Sequence, residues 1–289
     1  MRPIIDTHLH LWDLERFDLP WLASAPALDR CFLFPDYEEA TRGLNIDRMV
    51  YMEVDVATAQ QRKEAEYVLD LCRKPETKVC AAVIAGHPGT ATFREHVSRF
   101  AGNPSLKGIR QVLHGAGTPR GHCLGDKFVS DIAWLGEKHL RFDLCLRPGE
   151  LEDGVQLARQ CPQTPLILDH CGNPSILERD NATWKKAIEA FAKLPNVTCK
   201  VSGLMESAPA EGWSVKDLAP FVRHVCDSFG PDRVLFASNW PVCNLSGSVR
   251  AWVDALESIL SDRREEDLDK LFHDNAVEIY ALSKDAPVP

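Results

Sequence analysis

Two rhythms of apolar and polar positions alternate along the 289-residue chain. Short β-rich runs occupy residues 3–10 (PIIDTHLH), 47–54, 78–85, 106–113, 141–147, 165–170, 197–202 and 234–239, and each reads as a strand. Between them the spacing changes to that of an amphipathic helix. Trp184, Ala187, Ile188 and Phe191 share one helical face, as do Leu218, Phe221, Val222 and Val225, and then Val249, Trp252, Val253 and Leu256. Thr58 with Gln61, and Ser214 with Asp217, have the spacing of capping boxes, which would start helices after the second and seventh strands. Eight strands interleaved with helices, at a pitch of roughly 30 residues per unit, predict an α/β chain folded as a (β/α)8 TIM barrel. Neither a GxGxxG fingerprint nor a GxxxxGK[ST] loop occurs, which removes the commonest reasons to expect an open doubly wound sheet.

The expected organisation is one barrel domain over residues 1–289. An aromatic and proline-bearing insertion at 12–35 is too long for a plain βα loop and is expected over the barrel mouth. A charged helix follows at 263–282, with DRREEDLDK (262–270) as a solvated face, and 283–289 reads as a frayed tail.

Charge narrows the partners. Thirty-three basic against 42 acidic residues leave a net charge of −9, which argues against a nucleic-acid or anionic-membrane binder. A small-molecule partner fits better, and a homo-oligomer is compatible with the sequence. The ten cysteines are scattered without a CxxC pair and read as reduced, buried thiols. No apolar run approaches the ~18 residues of a membrane span, and no secretory apolar segment precedes Asp6. The expected location is cytoplasmic.

The chemistry-bearing residues sit at predicted strand ends. His8 and His10 lie two apart on the first strand and would project to one side of it. His170 ends the sixth strand, just before Gly172. Three imidazoles at the C-terminal mouth of a barrel suit a divalent metal, whose bound water can attack a carbonyl at neutral pH. Arg110 on the fourth strand and Arg147 ending the fifth would project to the mouth and hold a carboxylate or hydroxyl group, with Lys200 on the seventh strand. Glu53 is placed either to bond a sugar hydroxyl or to neutralise one of these cations. His114 and His87 are further pocket candidates, and Trp12 and Trp240 could form an aromatic wall for a ring.

With IIDTHLHLW, LKGIR, PLILDHCGNP, KVSGL and FASNWPV in order at barrel-like pitch, the chain resembles the amidohydrolase superfamily of metal-dependent TIM-barrel hydrolases. More narrowly, it is similar to the lactonase branch, which includes sugar-acid lactonases and pyrone-dicarboxylate lactonase. The resemblance implies a catalytic set of His8, His10, His170 and the position of Asn239, and a metal, if present, held by His8, His10 and His170, with zinc the expected ion. Two departures matter. The eighth-strand position holds Asn239 where the superfamily carries aspartate, and asparagine cannot act as a base. Binuclear members also use a fourth-strand lysine or glutamate and a fifth-strand histidine, where this chain has Arg110 and the stretch CLRP; a single-metal or metal-free site is therefore expected.

The expected activity is hydrolysis of a small lactone of a sugar acid or other carboxylated ring, by attack of water on the ester carbonyl. The alternatives are a metal-dependent decarboxylase on the same scaffold, or a ligand-binding member that has lost the eighth-strand acid. The proton that an aspartate would take is expected to pass to a histidine, such as His114, or to Glu53.

Overall fold

A computed structural model describes residues 2–115, 117–177, 181–208 and 212–283. Eight parallel strands run in sequential order: β1 (Ile4–Leu9), β2 (Ile46–Met52), β3 (Val79–Ala85), β4 (Leu106–Val112), β5 (Arg141–Cys145), β6 (Leu166–Leu168), β7 (Val197–Val201) and β8 (Val234–Phe236). Closure between β1 and β8 is made by a parallel bridge from Leu9 to Trp240 and by the buried Asp6. One Asp6 carboxylate oxygen accepts from the Ser238 and His8 amides, at 2.9 and 3.2 Å, and the other from the Tyr37 hydroxyl at 2.8 Å. The result is the TIM barrel that the strand and helix rhythm predicts.

Strand alternation sorts the side chains into two compartments. On β7, Val197, Cys199 and Val201 join the main core beneath the helices, while Lys200 is turned to the barrel interior. On β5 and β6 the same parity sends Phe142, Leu144, Leu166 and Leu168 outward and leaves Asp143 and Asp169 inside. The lower interior is filled by Ile5, Val50, Val83, Ile167 and Leu235, closed by Ala276 and Tyr280 from the C-terminal helical run. The outer ring includes α1 (Phe34–Ala40), α2 (Gln61–Leu71), α3 (Phe93–Ser98), α4 (Asp126–Glu137), α5 (Leu151–Gln160), α6 (Ala182–Ala192), α7 (Val215–Phe229) and α8 (Val249–Ile259). All twelve residues of the three predicted stripes on α6, α7 and α8 are buried, each such large side chain contributing about 1.5–3 kcal/mol relative to exposure.

Several boundaries differ from the sequence expectation. β6 ends at Leu168 and β8 at Phe236, short of His170 and Asn239, and both of those residues have left-handed backbone, with φ of 53° and 58°. The Ser214 box forms, with the Asp217 carboxylate accepting from the Ser214 amide and hydroxyl at 2.8 and 2.7 Å. The Thr58 box does not: Thr58–Gln60 is a 3-10 turn without a side-chain cap, and α2 begins only at Gln61. The C-terminal helix is interrupted by a π turn, Lys270–Asp274. Of the expected frayed tail, Ser283 is tied by its carbonyl to Arg48 at 2.6 Å, and 284–289 lie outside the described residues. All ten cysteines are free thiols. Among the described residues, no helix is long and apolar enough to cross a membrane.

Candidate active site

Parity alone would not bring His8 into the barrel. Ile5 faces the interior, so His8, three positions on, would face the helices, but β1 carries a bulge. Three steps from Asp6 to Leu9 run beside two from Met49 to Tyr51, and the extra residue reverses the alternation. His8 is thereby turned inward, with its Nε2 3.2 Å from Arg110 Nη1 and its Nδ1 3.4 Å from both Lys200 Nζ and Asp169 Oδ1. His10 stands above it. Its Nδ1 donates to the Met52 carbonyl at 3.0 Å, so Nε2 is the unprotonated nitrogen, 3.1 Å from His8 Nε2.

His170 reaches the same centre from the turn after β6, its ring 4.4 Å from that of His8. Ser202 at the end of β7 holds its Nδ1 at 2.9 Å, which leaves Nε2 for a ligand. The approach is close because residue 203 is glycine. A Cβ there would lie 2.5 Å from His170 Cβ and 2.8 Å from Cγ, and the φ of +71° also favours glycine.

Two buried cations organise the carboxylates under these rings. Arg110 Nε donates to Glu53 Oε1 at 2.5 Å and Nη2 to the Glu53 carbonyl at 2.9 Å. Lys200 lies 2.5 Å from Asp143 and 3.2 Å from Asp169. Burial opposes charging throughout. For Asp169 the field of Lys200 and the contact with His8 overcome it and hold the carboxyl well below the usual range. The Glu53 carboxylate likewise outweighs burial at Arg110, whose affinity for its proton is raised. The imidazoles find no such compensation: burial lowers His8 well below its ordinary value and His10 and His170 to about 3, so all three are neutral at pH 7.

Above this cluster opens a cavity of about 610 Å3, lined by His10, Arg110, His170, Asn239, Glu206, His114, Asp55 and Trp21, among others. It lies at the C-terminal ends of the strands, where barrel enzymes place their chemistry. Asn239 is fixed through its own amide, which donates to the His8 carbonyl at 3.0 Å. Its side-chain amide donates to Glu206 Oε1 at 2.8 Å. Burial raises the Glu206 carboxyl to about 7 against the lowering effect of that bond.

The amidohydrolase family profile matches residues 5–282. The chain belongs to the amidohydrolase family. This amidohydrolase is 29% identical to an L-fucono-1,5-lactonase of Burkholderia multivorans, over 98% of its own length and 97% of that protein's. It is 23% identical to an L-rhamnono-gamma-lactonase of Scheffersomyces stipitis, over 96% and 98% of the two chains. Among solved structures, an amidohydrolase from Burkholderia multivorans with bound zinc superposes with a TM-score of 0.86 at 27% identity, covering 97% of this chain and 99% of the other.

The amidohydrolase brings together some of the sequence-predicted residues and diverts others. His10, His170, Asn239, Arg110 and His114 line the cavity, with His8 fully buried beneath them. Arg147 does not reach it: its guanidinium is engaged by Glu150 at 2.9 Å and by the Thr118 carbonyl at 2.9 Å. Glu53 serves as counter-ion to Arg110 and is absent from the lining, its second oxygen accepting from the Asp55 amide at 2.7 Å. Trp12 and Trp240 are buried in the core among Phe32, Tyr37 and Trp21 and form no aromatic wall. The aromatic at the cavity is Trp21 from the 12–35 insertion, its indole N–H bonded to the Val54 carbonyl at 2.8 Å. His87 lies in a separate hollow beside Gln61.

Sequence reasoning missed Asp169, Lys200's charge partner Asp143, and Glu206. Strand parity could have found both aspartates, since each follows an outward leucine or phenylalanine; Glu206 lies in a turn beyond β7 and gives no periodic signal. Among the described residues, the grouping that could hold a metal ion, with ligand atoms all within 4.8 Å of one another, is His8, Asp169 and His170; His10 is not part of it.

Proposed function

We propose that this amidohydrolase opens a neutral sugar-acid lactone by attack of water on the ester carbonyl. The observation that carries the reading is the convergence of His10, His170, Arg110 and Asn239 at one cavity over a buried, charge-compensated cluster. Its full-length likeness to sugar-acid lactonases supports the substrate class.

Charge selects within that class. A carboxylated ring needs an uncommitted cation, but Arg110 is tied to Glu53 and Arg147 to Glu150. A polyhydroxylated ring needs hydrogen-bond partners and a flat surface, which His114, Asp55, Ser207 and Trp21 offer. In the reaction, His170 presents Nε2 to the lactone carbonyl while Ser202 fixes the ring from the other side. Arg110 and Lys200 beneath are paired with Glu53, Asp143 and Asp169, so the negative charge that develops on that oxygen is met by the fixed N–H donors at the cavity, which need not reorganise as it forms. Asn239, anchored through Glu206, can orient the attacking water through its amide oxygen but cannot accept a proton.

The residues also fit a divalent metal. Neutral imidazoles are the ligand form of histidine, and Asp169 beside them is a carboxylate whose Oδ1 is ion-paired with Lys200 at 3.2 Å and whose Oδ2, 3.7 Å from Arg110, is buried without a hydrogen bond. His8, Asp169 and His170 would hold it, and nitrogen with carboxylate donors suits zinc. Such an ion supplies carbonyl polarisation and acidifies bound water.

The test is a pH-indicator panel of neutral and carboxylated lactones, L-fucono-1,5-lactone and L-rhamnono-1,4-lactone included, with carbon dioxide followed in parallel on semialdehyde acids. Proton release on a neutral sugar lactone, at a kcat/KM at least tenfold above carboxylated analogues, is expected. Silence on every lactone with carbon dioxide evolved would replace this reading by the decarboxylase.

A further inference from the structure

Lactone hydrolysis needs a group that takes a proton from water, and most ionisable residues around the cavity are already committed. Glu53 has one oxygen on Arg110 and the other on the Asp55 amide. Asp169 faces Lys200 and Arg110 as an ion-pair partner. His10 is bonded through Nδ1 to the Met52 carbonyl at 3.0 Å with Nε2 against His8 at 3.1 Å, His170 is held through Nδ1 by Ser202 at 2.9 Å, and burial weakens the basicity of His114.

Glu206 differs from all of these. It lies in the turn after β7 and lines the cavity beside Asn239. Its Oε1 accepts the Asn239 amide at 2.8 Å, while Oε2 is buried without any hydrogen-bond partner. A carboxylate only accepts, so the bond fixes the orientation of the Asn239 amide, with the nitrogen toward Glu206 and the oxygen turned away. The two side chains form one unit: an amide on the eighth-strand position and a carboxylate one hydrogen bond behind it, with a lone pair still to be satisfied.

We propose that Glu206 is the catalytic base of this amidohydrolase, oriented by Asn239 to take the proton of the attacking water. The assignment rests on the lactonase reading and adds to it the proton acceptor that asparagine cannot be. Water oxygen bonds to the lactone carbonyl carbon as one water proton moves to the Glu206 carboxylate. The tetrahedral intermediate then collapses with cleavage of the ring carbon–oxygen bond, and Glu206 returns that proton to the leaving alkoxide. The product is a hydroxy acid, which ionises and releases one proton to solvent.

The titratable groups around Glu206 leave its charge uncompensated. The Cys243 thiol is held protonated. Across the cavity stand His10, bonded to the Met52 carbonyl, His170, held by Ser202, His114, whose basicity burial weakens, Asp55 at about 6, and an Arg110 already paired with Glu53. A carboxyl raised to about 7 by burial is matched to proton transfer at neutral pH.

The experiment measures pH profiles of kcat and KM on the best lactone of the panel for wild type, Glu206→Gln, Glu206→Ala and Asp55→Asn, with circular dichroism on each. Wild type is expected to show an ascending limb near pH 7. Glu206→Gln should lose ~10²- to 10⁴-fold in kcat with KM within about threefold and no such limb, and added formate should restore part of the activity of Glu206→Ala. Asp55→Asn should retain the limb. Retention of a third or more of wild-type kcat with the limb intact in Glu206→Gln, or transfer of the effect to Asp55→Asn, overturns the assignment while the lactonase reading stands. Should the Gln variant not fold, the formate response of Glu206→Ala decides, and its absence in a folded protein also counts against Glu206. A wild-type protein silent on all lactones overturns both readings.

Discussion

Substituting Gly203 by alanine separates the geometry of the site from the stability of the fold. The new methyl would stand 2.5 Å from His170 Cβ, where carbon–carbon contacts settle near about 3.6 Å, so the imidazole must retreat by about 1 Å. The left-handed backbone at φ +71° adds a strain of about 1–2 kcal/mol. Gly121→Ala isolates that strain, because Gly121 has left-handed backbone, φ +75° and ψ 4°, and open space where its methyl would go. Gly121→Ala should lower Tm by roughly 2–8 °C at 2–4 °C per kcal/mol and leave kcat/KM within about twofold of wild type. Gly203→Ala should lower Tm at least as far and also reduce kcat/KM about 100-fold, the usual consequence of a 1 Å misplacement in an active site. Paired thermal melts and initial rates on a sugar lactone measure both effects. Equal activity in the two variants would refute the role assigned to the His170 position.

Other perturbations probe the buried cluster and the cavity floor. Lys200→Met leaves Asp143 and Asp169 without their shared cation, and chemical denaturation should show a loss of about 3–5 kcal/mol; a loss below 1 kcal/mol would mean that Lys200 does not hold these carboxylates as an ion pair. Zinc at 100 times its Kd should stabilise the protein by about 2.7 kcal/mol, a gain read as a rise in Tm that His170→Ala removes; no change in wild-type Tm at millimolar zinc would discount the metal. Asn239→Asp places a second carboxyl 2.8 Å from Glu206, and a repulsion of about 4 kcal/mol corresponds to a separation of about three pK units. That variant should show a pH–rate profile broadened into two steps and no gain in kcat at pH 7, whereas a tenfold gain with a single low limb would point to the missing aspartate as the limiting defect.

The barrel was legible because its signals are local and repeated: strand composition, helical stripes and the spacing between them fix eight units without knowledge of any contact. The His8 and His10 pair was legible too, although the reason it faces inward is a bulge that no pattern of residue types announces. What stayed hidden depends on which partner a charge finds. Arg147 and Glu53 have the chemistry of substrate ligands, but nearby Glu150 and Arg110 absorb them. Trp12 and Trp240 sit next to functional residues in sequence, yet their rings are drawn into the core where burial is worth most. Asp169 could have been placed by parity with Ile167, whereas Glu206 meets Asn239 only because the turn after β7 folds back toward β8, 33 residues apart along the chain.

Hydrolysis of a sugar-acid lactone in 18O-labelled water tests the central claim most directly. Enzyme turnover, corrected for the spontaneous reaction, should place one labelled oxygen in the new carboxylate and none in the released hydroxyl, with one proton liberated per ring opened. Label in the hydroxyl, or a rate no greater than that without protein across the neutral lactones, would contradict attack of water on the ester carbonyl at this cavity.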